Sequence, residues 1–262
     1  MGRLRSSEVD PQCLRVLKEN HTDILHIGDV RDLNTDIIAS MGTVSFLCGG
    51  SPCNEVSRVN GGRRGLFDEE GDSNLFFHFV RILKQLQAAA VARESRFYFF
   101  FENTAHLDAV TLEAFTKYLV NRELGCKPIV RCAAHYSATK RKRLFWSNLP
   151  GFHDKELPMK NNRVLQDYIG PARKALVQVA KTFTTNRGGQ RRSNGELQVE
   201  FEGQKEFLYA ADQERLLGFP DGYTDKGGMS QTARSALLGR TWSVDVVMDL
   251  WTPLCEIFRG TG

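Results

Sequence analysis

A chain of 262 residues can bury one large core, or one core with a small attached lobe. Its composition, 41% hydrophobic and 25% charged, is that of an ordinary globular protein. No stretch is long and apolar enough to span a bilayer or to serve as a signal peptide, so a reducing interior compartment is the expectation. The net charge of +4 is mild, but basic residues gather at Arg63–Arg64, Lys140–Arg143, Arg187 and Arg191–Arg192, as they do in solvated loops or in nucleic-acid contacts.

In chain order, the first half alternates strands and helices. Residues 23–27 read as a strand ending at Gly28-Asp29, 43–48 as one ending at Gly49-Gly50, and 96–101 as one ending at Glu102-Asn103. Short, nearly continuous apolar runs of this kind suit parallel strands covered on both faces. Between the last two, residues 73–91 carry apolar side chains at helical spacing, and Thr111–Leu119 is a further helix. An open α/β sheet follows, and such sheets bind ligands at the carboxyl ends of their strands, where Asp29, Cys53 and Glu102 are expected. Residues 152–210 have weaker periodicity and a basic loop from Thr184 to Arg192, which predicts a small irregular lobe inserted between a main domain at 1–151 and its return at 211–262. Helical spacing resumes at Ala211, Ser230–Leu238 is a short helix ending at Gly239, and 242–258 closes the chain as a strand or helix.

Four constellations carry chemistry. In Gly49-Gly50-Ser51-Pro52-Cys53-Asn54, two glycines and Ser-Pro make a stiff turn at the mouth of a strand, where a thiol is accessible as a nucleophile; a turn cysteine without chemistry is the alternative. Glu102 follows a run of aromatic residues, so partial burial would tune it for proton transfer, unless it is a surface acid or a helix cap. Arg141 and Arg143 alternate about Lys142 before Leu144-Phe145-Trp146, which predicts two guanidinium groups facing a cleft or a solvated basic edge strand. Glu8 and Asp29 place an acid after each of two neighbouring strands, suited to a ribose and an adenine, while Arg240 and Trp242 supply a guanidinium and an indole for an amino-acid carboxylate and apolar packing. Cys13, Cys48, Cys53, Cys126, Cys132 and Cys255 form no CxxC pair and the histidines complete no zinc spacing, so no structural metal is expected.

Together these residues resemble the catalytic domain of the DNA (cytosine-5) methyltransferases, specifically the de novo branch of animals. The resemblance runs through Ser7-Glu8-Val9, Gly28–Arg31, Gly49–Asn54, Phe101-Glu102-Asn103, Ser137–Arg143, Phe145–Gly151, Glu214-Arg215, Gly218-Phe219-Pro220, Tyr223-Thr224-Asp225 and Leu237–Val244. It implies the Rossmann-like, mostly parallel sheet of class I methyltransferases with an inserted target-recognition lobe, and S-adenosylmethionine as cofactor. By the same resemblance Cys53 would attack C6 of a flipped-out cytosine, Glu102 would bond N3 and the exocyclic amine, and Arg141 and Arg143 would brace the base. Glu8 would hold the ribose, Asp29 and Val30 the adenine, and Arg240 with Trp242 the methionine end. Val59 would enter the space left by the base, and Thr184, Thr185, Asn186 and Arg187 would contact double-stranded DNA, with CpG as the implied sequence. A nuclear location and a homo-oligomer or paralogue contact through the Phe76-Phe77 helix, including Tyr118, complete what the family implies.

The family opens with a strand and a Phe-x-Gly-x-x-x-Gly turn around the methionine group, whereas this sequence starts Met1–Glu8, so an amino-terminally truncated sheet is expected. Thr104, Gly61 and Gln231 also depart from the family pattern. A catalytically inactive paralogue that partners a methyltransferase is therefore the competing expectation to an active enzyme, and a plain DNA-binding module is a third.

Overall fold

Local sequence signals account for most of the elements in the computed structural model, which describes residues 3–52, 66–68, 71–120, 127–183 and 197–259. These fall into two units, each discontinuous in sequence: 1–27, 132–141 and 156–250 in the first, and 28–131, 142–155 and 251–262 in the second. The α/β class expected from the alternation is the one observed.

In the first unit β1 (Arg5–Ser6) pairs parallel with β2 (Leu25–His26), and α1 (Pro11–Asn20) connects them. Asp10 caps α1 and Pro11 begins it, a start signal because proline lacks only an amide that a first turn leaves unused. After a 3-10 turn at Leu165–Tyr168 come β7 (Lys174–Ala175), β8 (Val199–Phe201) and β9 (Gln204–Glu206), a three-stranded antiparallel sheet. Three helices follow: α5 (Ala210–Leu216), α6 (Gln231–Arg240) and α7 (Val244–Leu250). Leu165, Val199, Leu216, Leu217 and Leu238 are buried together in its core.

The second unit contains α2 (Thr35–Ser40) and a four-stranded sheet in the order β3 (Phe46–Gly50), β4 (Tyr98–Thr104), β6 (Lys142–Ser147), β5 (Ile129–Cys132). β3 and β4 run parallel, joined through α3 (Leu75–Ala92), while β6 returns antiparallel to β4. The apolar run of β4 buries both faces. Phe99 and Phe101 join Phe76, Phe79, Leu83, Trp146 and, from α4 (Ala109–Leu119), Phe115. Phe100 packs instead toward Phe145, Phe152 and Trp251, the last just before α8 (Thr252–Arg259).

Several expected boundaries shift. β4 does not stop at Phe101; it continues through Glu102, Asn103 and Thr104 because these residues pair with Phe145, Leu144 and Arg143 of β6. Gly49 and Gly50 likewise lie inside β3, paired with Phe101 and Glu102. Arg141 precedes β6 rather than sharing a strand face with Arg143. The closing segment forms two helices, and α1, α2, β5 and the β7–β9 sheet are additional to the expected elements.

Candidate active site

The register of β3, β4 and β6 brings Glu102 and Arg143 together. Arg143 Nε lies 2.8 Å from Glu102 Oε1, with both side chains largely shielded from solvent. Lys142, one residue earlier on β6, is exposed, as strand alternation requires. On the other side of Glu102, its register partner Gly50 is a glycine for a steric reason. A Cβ there would come to 2.9 Å from the Glu102 carbonyl oxygen and 3.2 Å from its Oε2. The next residue of β4, Asn103, is buried and donates from Nδ2 to both the carbonyl and the hydroxyl of Ser51, each at 3.1 Å. Ser73 also donates to the carbonyl of Pro52. The backbone leading into Cys53 is therefore tied to the strand that carries Glu102. Cys53 itself and Val59 lie outside the described residues.

A second group gathers in the first unit. Asp10 Oδ1 accepts from the amides of Gln12 and Cys13, and its Oδ2 meets Arg240 Nη2 at 2.6 Å. Burial pushes the Asp10 carboxyl up, but the bonds from Arg240, Cys13 and Gln12 outweigh it and hold the group below its ordinary value. Glu8 Oε1 accepts from the amides of Val9 and Asp10. Cys13 sits among these charges, and burial, then the neighbouring Glu8, pushes its thiol up to about 12. Arg240 ends α6, and Trp242 is half-buried in the short connection to α7.

In the second unit Asp29 caps a 3-10 turn at Val30–Asp32 and is gripped by Arg31, whose Nε and Nη2 reach its carboxylate at 2.6 to 3.1 Å. Those hydrogen bonds hold the Asp29 carboxyl low. Arg81 of α3 donates to the carbonyls of Leu33 and Val30, fixing the same turn to the helix.

Arg141 does something other than what its sequence position suggests. It is buried in the first unit and donates to the carbonyls of Phe183, Gly239 and Thr241. Those bonds fix the backbone on either side of Arg240. The expected DNA-contacting residues Thr184, Thr185, Asn186 and Arg187, and the basic pairs Arg63–Arg64 and Arg191–Arg192, lie outside the described residues.

Asp10, Arg81 and Asn103 were not anticipated as site residues. The Asp10-Pro11 dipeptide is a helix-start signal that marks Asp10. Arg81 and Asn103 reach their partners across sequence separations of about fifty residues, as 48 for Arg81 to Leu33 and 52 for Asn103 to Ser51, which no local pattern reveals.

The C-5 cytosine-specific DNA methylase family matches residues 3–185. Among solved structures, the chain is similar to the Entamoeba histolytica methyltransferase EhMeth at 13% identity, covering 96% of this chain and 89% of that one, with a TM-score of 0.71. It is also similar to a mutant of Spodoptera frugiperda DNMT2 (16% identity, 96% and 91% covered, TM-score 0.64). The S. pombe Dnmt2 methyltransferase matches comparably, at 17% identity with 97% and 91% covered and a TM-score of 0.63. At these identities the structural likeness speaks for the fold.

Proposed function

The chain belongs to the C-5 cytosine-specific DNA methylase family, and we propose that it methylates C5 of cytosine in double-stranded DNA, preferentially in CpG, through a covalent bond to Cys53. The observation that carries this reading is the Glu102–Arg143 pair seated over Gly50, at the strand end that leads into Ser51-Pro52-Cys53. Cytosine C6 accepts a nucleophile only when N3 gains a proton or a strong hydrogen bond. Glu102 would supply that contact in its protonated form, while Arg143 holds its Oε1 in place. Cys53 adds to C6 as a thiolate, C5 would then take the methyl group, and removal of the C5 proton by a base expels the thiolate from C6. The base must leave the duplex to reach these groups, and Val59 fills the gap.

S-adenosylmethionine supplies the electrophilic methyl group. On the family resemblance we assign Glu8 to the ribose hydroxyls, Asp29 and Val30 to the adenine, and Arg240 with Trp242 to the methionine end. Arg141 acts as a positioning residue for that end, since it pins the carbonyls of Gly239 and Thr241 that flank Arg240.

Within the family we assign the chain to the animal de novo branch, with residues 152–210 as its target-recognition lobe and Thr184, Thr185, Asn186 and Arg187 on the DNA. Phe77 and Tyr118, with rings 5.4 Å apart, and the exposed Phe67 beside Phe77 form a half-buried aromatic patch on α3 and α4, suited to a second copy or a paralogue. Such a role belongs in the nucleus.

The decisive test uses tritiated cofactor and an unmethylated CpG duplex, alongside trapping on DNA containing 5-fluorocytosine. Turnover and a covalent adduct are expected for the native chain, and neither for Cys53→Ser. Methylation that survives Cys53→Ser removes the covalent role. Absence of both in the native chain favours the inactive-partner reading.

A further inference from the structure

Asp10 and Arg240 form an ion pair that leaves hydrogen-bonding capacity at both ends. A carboxylate offers about four acceptor sites and a guanidinium about five N–H donors. Among the described residues Asp10 accepts from the amides of Gln12 and Cys13 and from Arg240 Nη2, while Arg240 gives only that one bond. The side chains are 44% exposed for Arg240 and 30% for Asp10, so both stay partly accessible to a ligand. The two ends differ in mobility. Asp10 is bolted down by its role as the cap of α1, and turning it away would strip the first-turn amides of their acceptor. Cys13, next to both, stays a neutral thiol and competes for neither charge.

A fixed carboxylate and a guanidinium side by side, each with spare valence, are complementary to an α-amino acid zwitterion. We propose that Asp10 is a direct binding residue for the cofactor's ammonium group while Arg240 takes its carboxylate, the two acting as one receptor for the methionine head. This rests on the S-adenosylmethionine reading above and adds to it a residue and a second charge contact. Arg240 donates to Asp10 through Nη2 alone, so an incoming carboxylate can accept from Nη1 without displacing Asp10.

The test is calorimetric titration of the whole chain with three ligands. They are S-adenosylhomocysteine, its analogue in which hydrogen replaces the ammonium group, and 5′-methylthioadenosine, which has neither charge. The native chain should prefer S-adenosylhomocysteine over the des-amino analogue by about ten- to a hundred-fold, as a charge-assisted hydrogen bond provides. Asp10→Asn, which keeps the helix cap, should bind those two alike and leave 5′-methylthioadenosine unchanged. Arg240→Gln should weaken both carboxylate-bearing ligands together. Circular dichroism confirms that each variant is folded. If Asp10→Asn keeps the preference, the ammonium is held elsewhere and the proposal falls. If it tightens S-adenosylhomocysteine, Asp10 is a competing counter-ion and the proposal falls as well. A native chain that binds none of the three overturns the cofactor reading itself, an outcome separate from the other two.

Discussion

Two carboxylate–arginine pairs in the first unit use the same chemistry for different ends. Glu214 of α5 has no solvent exposure, and its oxygens are filled by the amides of Gly222 and Thr224, the Thr224 hydroxyl and Arg234 Nη2 of α6. Arg234 in turn spends Nε on the Thr224 hydroxyl and Nη1 on Asp225. That network closes the Gly218–Asp225 turn onto two helices and leaves the Glu214 carboxylate no capacity for a ligand. Asp10–Arg240 is half-exposed and uses a fraction of its donors and acceptors. Residue type does not distinguish these two pairs; unspent hydrogen-bonding capacity at an accessible charge does.

The largest effect should appear at a third pair, Glu102–Arg143, whose carboxylate we assign to the reacting base. Glu102→Gln is expected to slow methyl transfer by about 10²–10⁴-fold, as loss of a positioned proton donor does, with a smaller loss of stability than at the fully buried Glu214. An unchanged rate would move Glu102 into the same class as Glu214. At Glu214 the pattern should reverse. Glu214→Gln leaves the buried Arg234 with only the exposed Asp225 to balance its charge, and removal of the buried partner of such a pair costs about 3–5 kcal/mol. Equilibrium urea unfolding measures this directly. A loss below about 1 kcal/mol, the range of exposed pairs, would break the contrast.

How much of this was legible follows the same division. The apolar runs at 43–48 and 96–101 and the spacing in 73–91 identify β3, β4 and α3, because burial on two faces or one leaves a periodic trace. Glu102 and Arg143 stand out by residue type and position. Their strand limits do not, since β4 extends to Thr104 only through its pairing with β6, a partner some forty residues away in sequence by register Thr104↔Arg143. The role of Arg141 was hidden for a related reason: its acceptors are backbone carbonyls, which carry no side-chain signature. Asp10 was readable as a helix cap from Asp-Pro, but its pairing with Arg240, 230 residues on, depends on the tertiary fold.

A smaller effect tests whether Glu8, Asp10 and Arg240 surround Cys13 in solution. With its thiol pushed up to about 12, Cys13 should react with iodoacetamide at pH ~8 at least about ten-fold more slowly than the exposed Cys255. Glu8→Gln removes one of the charges that oppose the thiolate and should speed the reaction. Peptide mass spectrometry over a time course reads both. Equal rates for Cys13 and Cys255 would show that the cluster is not assembled.

The smallest effect concerns acid. The Asp10 carboxyl is held below its ordinary value in the folded chain, chiefly by Arg240 and the α1 amides acting against burial. A carboxylate with a depressed folded value contributes stability at pH above its unfolded value, about 3.9, and that contribution is lost as pH falls through the folded value. Because the side chain is 30% exposed, solvent screening limits the contribution to about 1 kcal/mol or less. Asn caps a helix as well as Asp does, so Asp10→Asn removes the charge interaction and spares α1. The variant should therefore be slightly less stable than the native chain at pH ~7, and the two should converge below pH ~3. Urea unfolding at both pH values resolves the gap. A difference that persists undiminished at pH ~3 would mean that Asp10 acts through packing or capping, and that its charge is not what holds Arg240.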